Sequence, residues 1–395
     1  EYQTARKLRL SPLYDRLKEA GAVYGSKNGW ERPLWFAPKG VQPVDQLDFI
    51  EPGWKKYAAA EHEAVRERVA LIDQSSFAKF EIMGLGALEL LQKLCVSNMD
   101  KPIGSIIYTQ MCNESGGTEA DVTFIRMGSD HFYLVTGSGF GVHDSDWIKK
   151  NMPKDGLIHL VDVTSGKAVL NIVGPMSREV LAKVSESDIS NSAIPFSKSC
   201  EIVVGTAQVL AARIGYVGEL GYELHIPSEY AAHVYDLLWN AGKEAGIANV
   251  GYRAIESLRL EKGYVYWSSD VTPDYTPIEA GLGFRVHLKS KGDFLGRTVL
   301  EKQKNNKPTR KLCTFVTDEK LSVTGGETIL LGGAVVSLAT SVGFGYTVGK
   351  TIVRGYLEAN FWDKKDFKLE VFGEHFAINL VESPVYDPEN KALIA

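Results

Sequence analysis

The polar run Lys302–Arg310 (KQKNNKPTR) divides the chain into two parts whose hydrophobic patterns differ. Before it, segments with the period of amphipathic helices are mixed with short alternating segments that are typical of strands. After it, apolar segments punctuated by glycines, such as TILLGGAVVSLATSVGFGY, predict strands and turns. A single hydrophobic core does not extend over a chain as long as 395 residues, so several domains are predicted. The expected fold class is α+β, with an all-β C-terminal domain of roughly eighty residues.

The part before the polar run is predicted to contain several helices and short strands. Ser11 and Pro12 begin a first helix, whereas the aromatic segment 28–36 is interpreted as a loop. A second helix is predicted over Ala58–Leu71. Three short strands follow, and Glu114–Gly117 is predicted to be a hairpin turn because two adjacent glycines suit one. Helices further along the chain are predicted over Glu229–Ala245 and Tyr252–Lys262.

Charge and composition argue against several classes of protein. The chain has 44 Lys+Arg against 49 Asp+Glu and no basic block, so no nucleic-acid or membrane partner is expected. No segment reaches the roughly 18 consecutive apolar residues that a membrane-spanning helix needs. The four cysteines form no CxxC pair and the histidines form no metal-binding pair, so no metal is expected. Scattered thiols and the lack of a signal segment predict a cytoplasmic location, or the mitochondrial matrix in a eukaryote.

The glycine-rich segment GSGFG at 137–141 lies between a predicted strand and a predicted helix, where phosphate-binding loops occur. It lacks the third glycine of a dinucleotide fingerprint, and no acidic residue ends a second strand about twenty residues later. We interpret these residues as loop glycines and expect no FAD in this chain. The GxSxG motif of serine hydrolases is also absent.

Five polar residues in or beside otherwise apolar segments are candidates for a functional site. Asp121 lies within the strand-like segment EADVTFIR, and Glu223 lies within the strand that follows GYVGELGY. Tyr108 and Tyr216 offer hydroxyl groups near turns, and Arg253 begins a predicted helix. A buried charge must be paired or serve chemistry, so each residue is either a member of a structural ion pair or hydrogen bond or part of a site.

Six ordered blocks make the chain similar to the aminomethyltransferase (glycine-cleavage T-protein) family. The blocks are YTQMCNESGGTEADVTF (108–124), LNIVGPMSREVL (170–181), IGYVGELGYELHIP (214–227), GYRAIESLRLEKGYVYW (251–267), PIEAGLGFRVHL (277–288) and DFLGRTVL (293–300). The opening SPLYDRLKEAGAVYGSKNGWERPLWFAP resembles the branch formed by dimethylglycine and sarcosine dehydrogenases. In that branch the T-protein-like half follows an FAD-containing half, so a chain that begins here without Met is expected to be the C-terminal half.

The resemblance implies a three-domain clover-leaf with a folate site in its central opening. It divides the chain into three parts. Residues 1–75 are a helical extension that begins the folate-binding region, and residues 76–301 form two discontinuous folate-binding α+β domains. Residues 302–395 form a barrel or jelly-roll-like domain. It further implies that Asp121 is the catalytic residue, near N10 of the folate. The cofactor-binding positions that it implies are Tyr108, Val135, Tyr216, Glu223 and Arg253. Three positions depart from the family pattern: Ala120, Gly137 and Phe196.

The implied function is tetrahydrofolate-dependent one-carbon transfer. An iminium or formaldehyde-level carbon from a methylated amine would be captured as 5,10-methylenetetrahydrofolate, with a small-molecule carbon donor and an FAD-containing oxidoreductase half or subunit as partners. Two alternatives stay open. One is a free-standing folate-dependent aminomethyltransferase or demethylase, and the other is a regulatory subunit that shares the fold without its chemistry.

Overall fold

A computed structural model describes residues 3–395, and helices and strands alternate along the first part of the chain. The elements up to residue 162 are α1 (Tyr14–Glu19), β1 (Ala22–Lys27), β2 (Trp30–Phe36), α2 (Lys55–Glu67), β3 (Ala70–Asp73), β4 (Ala78–Met83), α3 (Ala87–Leu94), β5 (Ile106–Cys112), β6 (Thr118–Gly128), β7 (His131–Thr136), α4 (Gly141–Asn151) and β8 (His159–Asp162). Those from there to residue 306 are β9 (Lys167–Val173), α5 (Ser177–Ala182), β10 (Ser199–Val204), β11 (Ala207–Ala212), β12 (Gly221–Pro227), α6 (Ala231–Gly242), β13 (Ala248–Asn249), α7 (Tyr252–Glu261) and α8 (Arg297–Asn306).

The last part of the described chain forms a closed barrel. Its strands are β14 (Arg310–Thr317), β15 (Thr328–Leu331), β16 (Ala334–Gly345), β17 (Lys350–Glu358), β18 (Phe367–Val371) and β19 (Glu374–Val381), and a short helix α9 (Lys391–Ile394) follows. They pair in the order β14-β17-β16-β15-β18-β19 around a core that includes Phe315 and Phe367. The prediction of an all-β C-terminal domain is confirmed. Helix α8 extends into the polar run, whose last residue begins β14.

The aromatic segment 28–36 is a strand, so its interpretation as a loop is wrong. β1 and β2 pair antiparallel, with Lys27 opposite Trp30. Asn28 and Gly29 both have positive φ, of 50° and 81°. These values suit the tight hairpin turn that an Asn-Gly pair favours, and the hairpin signal therefore outweighs the aromatic composition of the segment.

The predicted helix over Ala58–Leu71 is wrong at its C-terminal end. α2 stops at Glu67, and the apolar residues 70–72 together with Asp73 form strand β3. β3 pairs antiparallel with β9 and parallel with β13, and all four of its residues are buried. A short run that is apolar on both faces has no period that separates a strand from a buried helix.

Besides the β1-β2 hairpin, two larger sheets precede the barrel, each with helices packed on it. The five-stranded sheet has the order β5-β6-β7-β4-β8, and its core includes residues from α3 and α4. The six-stranded sheet has the order β10-β11-β12-β9-β3-β13, and its core includes residues from α5 and α6. The predicted hairpin turn at Glu114–Gly117 joins β5 to β6. A side chain at Gly117 would place Cβ 1.9 Å from the Pro273 carbonyl oxygen, so this turn packs closely against the loop after α7.

Helix α7 connects the barrel to the rest of the molecule. Ser257 Oγ donates a hydrogen bond to the Phe344 carbonyl at 2.7 Å, and the Thr347 amide donates to Glu261 Oε1 at 2.7 Å. Arg259 forms an ion pair with Asp270 at 2.8 Å, and both side chains are buried. The barrel is therefore docked through polar contacts that need both partners in place, because an unpaired buried charge is costly.

We expect Ser257→Ala to lower the free energy of unfolding by about 1 kcal/mol, since it leaves a barrel carbonyl without its donor. The measurement is urea unfolding followed by tryptophan fluorescence. Ser337→Ala is the control, because that hydroxyl bonds only the adjacent Leu338 carbonyl on the barrel surface. Coincident curves for Ser257→Ala and the unmutated chain would contradict a contribution of this bond to docking.

Candidate functional site

A cavity of about 970 Å³ is lined by residues of both sheets and of the barrel. Its size is within the range of small-molecule sites. The five-stranded sheet and the six-stranded sheet both contribute side chains to its lining, and the loops after α7 contribute aromatic rings. Residues that represent each part are Asp121 on β6, Glu223 on β12, Tyr264 and Arg285 in the loops, and Thr314 on β14.

Asp121 lines the cavity from β6, which lies between β5 and β7 in the five-stranded sheet. It is paired in register with Gln110 on β5, and Gln110 Nε2 donates a hydrogen bond to Asp121 Oδ1 at 2.8 Å. Burial raises the pKa of the Asp121 carboxyl to about 6, although Gln110 and the neighbouring Tyr108 hydroxyl lower it. A carboxyl with this pKa can hold or release a proton near neutral pH.

Tyr108 and Val135 line the same wall of the cavity as Asp121. Burial and the nearby Asp121 carboxylate raise the pKa of the Tyr108 hydroxyl well above its usual value, so this group stays protonated. The guanidinium carbon of Arg285 lies 5.3 Å from the centre of the Tyr108 ring. The wall therefore combines one carboxylate with neutral donors and one nearby cation.

Glu223 and Tyr216 lie on the wall formed by the six-stranded sheet and its connections. Burial raises the pKa of the Glu223 carboxyl to about 7. Its nearest ionisable neighbour is His225, whose Nε2 lies 4.0 Å from Glu223 Oε2. The Tyr216 hydroxyl donates to the Val265 carbonyl at 2.5 Å, and its ring stacks beside Tyr264 at 5.8 Å. The Glu223 carboxylate is thus a half-buried acceptor at the cavity.

Arg253 is the one predicted site residue that the structure does not bring to the cavity. It lies in the first turn of α7, where its guanidinium carbon is 4.6 Å from the Trp54 ring centre and Nη2 is 3.5 Å from Asp45 Oδ2. Among the cations that line the cavity is instead Arg285, which lies beside Tyr108 and which sequence reasoning missed. Arg285 could have been identified from its position in the block PIEAGLGFRVHL, where it closely follows two glycines.

Gln110 and Gln74 were also missed by the sequence reasoning. Gln110 could have been found from strand alternation, because it shares a face with Tyr108 and lies opposite Asp121. Gln74 lines the cavity from the residue after β3. It had no sequence signal, since the strand before it was taken for part of a helix.

Two of the three departures from the family pattern lie at the cavity. Gly137 and Phe196 line it, whereas Ala120 is buried in the core beneath the five-stranded sheet. A side chain at Gly137 would bring Cβ to 2.8 Å from the Phe140 ring. Phe140 therefore occupies space that a larger residue at 137 would need.

Within residues 3–395, no group of three His, Cys, Asp or Glu side chains is arranged to hold a metal ion. None of the helices in this range is long and apolar enough to cross a membrane.

Comparison with known proteins assigns nearly the whole chain. Residues 13–290 match the family model described as the GCVT N-terminal domain, and residues 310–387 match the glycine cleavage T-protein C-terminal barrel domain. The chain is 34% identical over 432 residues to the mitochondrial sarcosine dehydrogenase of Homo sapiens, covering 98% of this chain and 47% of that protein. It is 35% identical over 409 residues to the mitochondrial pyruvate dehydrogenase phosphatase regulatory subunit of Mus musculus, with the same two coverages.

These curated relatives are about twice as long as the chain, which matches 47% of their length.

The fold is similar to that of the glycine cleavage system aminomethyltransferase T of Bartonella henselae. The TM-score is 0.81 at 24% identity, and the match covers 96% of this chain and 98% of that one. The second family model is described as a barrel domain, which agrees with the six-stranded barrel. The chain therefore belongs to the glycine-cleavage T-protein, or aminomethyltransferase, family.

Proposed function

We propose that the chain binds tetrahydrofolate in the central cavity and promotes the transfer of a formaldehyde-level carbon to it. The observation that carries this proposal is the pair of half-buried carboxyl groups that line the cavity from two different sheets, Asp121 and Glu223, whose pKa values are raised to about 6 and about 7. Perturbed carboxyl groups in a cavity are typical of functional sites. Family membership makes folate chemistry the first candidate for them.

The residues at the cavity fit a folate in size and in chemistry. A folate carries a flat ring with adjacent N–H donors, and the half-buried Glu223 carboxylate offers two acceptor oxygens to such donors. Tyr216 and Tyr264 are among the aromatic residues that line the cavity and can pack against a flat ring. Bound tetrahydrofolate would supply the two nitrogens that take up the carbon as 5,10-methylenetetrahydrofolate.

Glu223, Asp121 and Gln110 each have a separate role in this proposal. Glu223 binds and orients the ring, and Asp121 accepts the proton that must leave the reacting nitrogen. Gln110 donates to Asp121 Oδ1 and so holds its carboxylate in one orientation. The walls of the cavity limit the access of water to a reactive iminium or formaldehyde.

The carbon donor and the partner follow from the longer relatives. We propose that the carbon comes from an N-methyl amine that an FAD-containing oxidoreductase half or subunit has oxidised to an iminium. No FAD is expected in this chain itself. Purification of the chain with stoichiometric FAD would contradict this division of labour.

A second candidate function is regulation without catalysis, which the 35% identity to a phosphatase regulatory subunit favours. The two functions differ in what the chain does with tetrahydrofolate. The test is calorimetric titration with tetrahydrofolate, followed by an assay of 5,10-methylenetetrahydrofolate formation from formaldehyde, corrected for the spontaneous reaction. Binding with acceleration supports one-carbon transfer by this chain, whether it acts as part of a longer enzyme or as a free-standing demethylase. Binding without acceleration supports the regulatory function, and absence of binding contradicts one-carbon transfer to tetrahydrofolate by this chain.

Tetrahydrofolate affinity is expected to fall about tenfold per pH unit as the pH drops below about 7. The pKa of Glu223 is about 7 in the free protein, and ring N–H donors favour its ionised form, so binding lowers this pKa. The complex is therefore fully stabilised above pH 7 and weakened below it. Calorimetry between pH 6 and pH 8 measures this, and Glu223→Gln is expected to flatten the profile.

A further inference from the structure

Two side-chain amides at the Glu223 end of the cavity have no hydrogen-bond partner among residues 3–395. Gln74 lines the cavity with 3% of its surface exposed, and its Oε1 is buried and unpaired. Asn171 is fully buried, and neither its Oδ1 nor its Nδ2 has a partner. Buried polar groups are nearly always paired in native proteins. The unpaired amides therefore need an explanation.

Strand register places Asn171 beside Glu223, and Gln74 at the end of the next strand of the same sheet. Asn171 on β9 is directly opposite Glu223 on β12, so the two side chains share one face and lie within reach of each other. Gln74 follows β3, the other neighbour of β9, and its main-chain N–H donates to the Val169 carbonyl at 2.8 Å. Gln74 and Glu223 thus line one cavity, and Asn171 lies on β9, between β12 and β3.

Another buried amide in the same sheet shows the usual arrangement. Asn249 on β13 donates from Nδ2 to the Tyr235 hydroxyl at 2.9 Å, so its polar atoms are satisfied within the chain. An amide without such a partner makes the unliganded protein less stable than an apolar residue of the same shape would. Gln74 and Asn171 are therefore explained better by a ligand than by the fold.

We propose that Gln74 hydrogen-bonds the polar edge of the tetrahydrofolate ring and that Asn171 positions the Glu223 carboxylate for that ring. This inference rests on the proposed function. Gln74 borders the cavity, and its amide can both donate to a ring carbonyl and accept from a ring N–H. Asn171 lies behind Glu223, and its Nδ2 can donate to the carboxylate when that group turns to the ring. Gln74 is then a binding residue, and Asn171 is a positioning residue.

The test uses the full chain with Gln74→Leu and Asn171→Leu, two changes of similar volume. Each variant is expected to bind tetrahydrofolate about tenfold more weakly, while the thermal midpoint of the unliganded protein stays the same or rises. The probe 6-methyltetrahydropterin, which carries the ring without the tail, should lose the same factor with Gln74→Leu. Asn249→Leu is the matched control, since it should lower the midpoint and leave the affinity unchanged.

A double-mutant cycle separates the two roles. Asn171→Leu should have no further effect on affinity in the Glu223→Gln background, because it acts through the carboxylate. Gln74→Leu should keep its full effect there. Unchanged affinity in Gln74→Leu, or a lower midpoint with unchanged affinity in either variant, would overturn the inference. If the unmutated chain binds no tetrahydrofolate, the proposed function fails and this inference fails with it. If the unmutated chain binds tetrahydrofolate, the affinities of the variants test the inference alone.

Discussion

Asp121→Asn is expected to slow the formation of 5,10-methylenetetrahydrofolate by on the order of 100-fold, with folding and tetrahydrofolate affinity nearly unchanged. The substitution keeps the shape of the side chain and its bond from Gln110, but it removes the group that accepts a proton. Because burial raises the pKa of Asp121 to about 6, the rate of the unmutated chain should rise with pH through about 6 and level off above it. This rise should be absent in Asp121→Asn.

The assay follows product absorbance with saturating tetrahydrofolate and with formaldehyde as the carbon source, after subtraction of the spontaneous rate. Glu119→Gln is the matched control. Glu119 lies two residues earlier on the same strand, but it accepts a hydrogen bond from Asn113 and does not line the cavity. Turnover near that of the unmutated chain in Asp121→Asn would remove Asp121 from the chemistry. An unfolded Asp121→Asn protein would indicate a structural role instead.

Glu223→Gln is expected to weaken tetrahydrofolate binding by about 2 kcal/mol, which is roughly a 30-fold change in affinity. The variant loses the charge-assisted hydrogen bonds from the ring N–H groups, which are stronger than bonds between neutral partners. The unliganded protein should remain folded, because Glu223 has no ion-pair partner closer than the imidazole at 4.0 Å. Affinity is measured by calorimetry at pH 8, where the carboxylate of the unmutated chain is ionised.

Glu201→Gln supplies the comparison for this experiment. Glu201 is exposed on β10, at the edge of the same sheet, so its substitution should leave both affinity and stability unchanged. If Glu223→Gln bound tetrahydrofolate as tightly as the unmutated chain, Glu223 would have no part in recognising the ring. A large loss of stability in this variant would show that the carboxylate supports the sheet.

Local patterns were enough to predict several parts of the fold. The alternation of EADVTFIR after a double glycine predicts a hairpin strand with Asp121 facing an interior, and the structure has this hairpin with Asp121 at the cavity. The glycine-punctuated strands after residue 310 predict an all-β domain, which is the closed barrel. In these segments each residue's environment follows from neighbours that lie close in sequence, so period and turn chemistry carry the information.

The sequence by itself determined which residues carry reactive groups and on which face of a strand they lie. Tertiary structure alone decided which of them meet. Arg253 and Arg285 are equally plausible cations in the sequence, yet only Arg285 reaches the cavity, because the first turn of α7 directs Arg253 to Trp54 and Asp45. Likewise, residues 70–73 become a strand only because β9 and β13 pair with them, and that pairing brings Gln74 to the cavity that Glu223 also lines. Such contacts join segments far apart in the chain, and no local period encodes them.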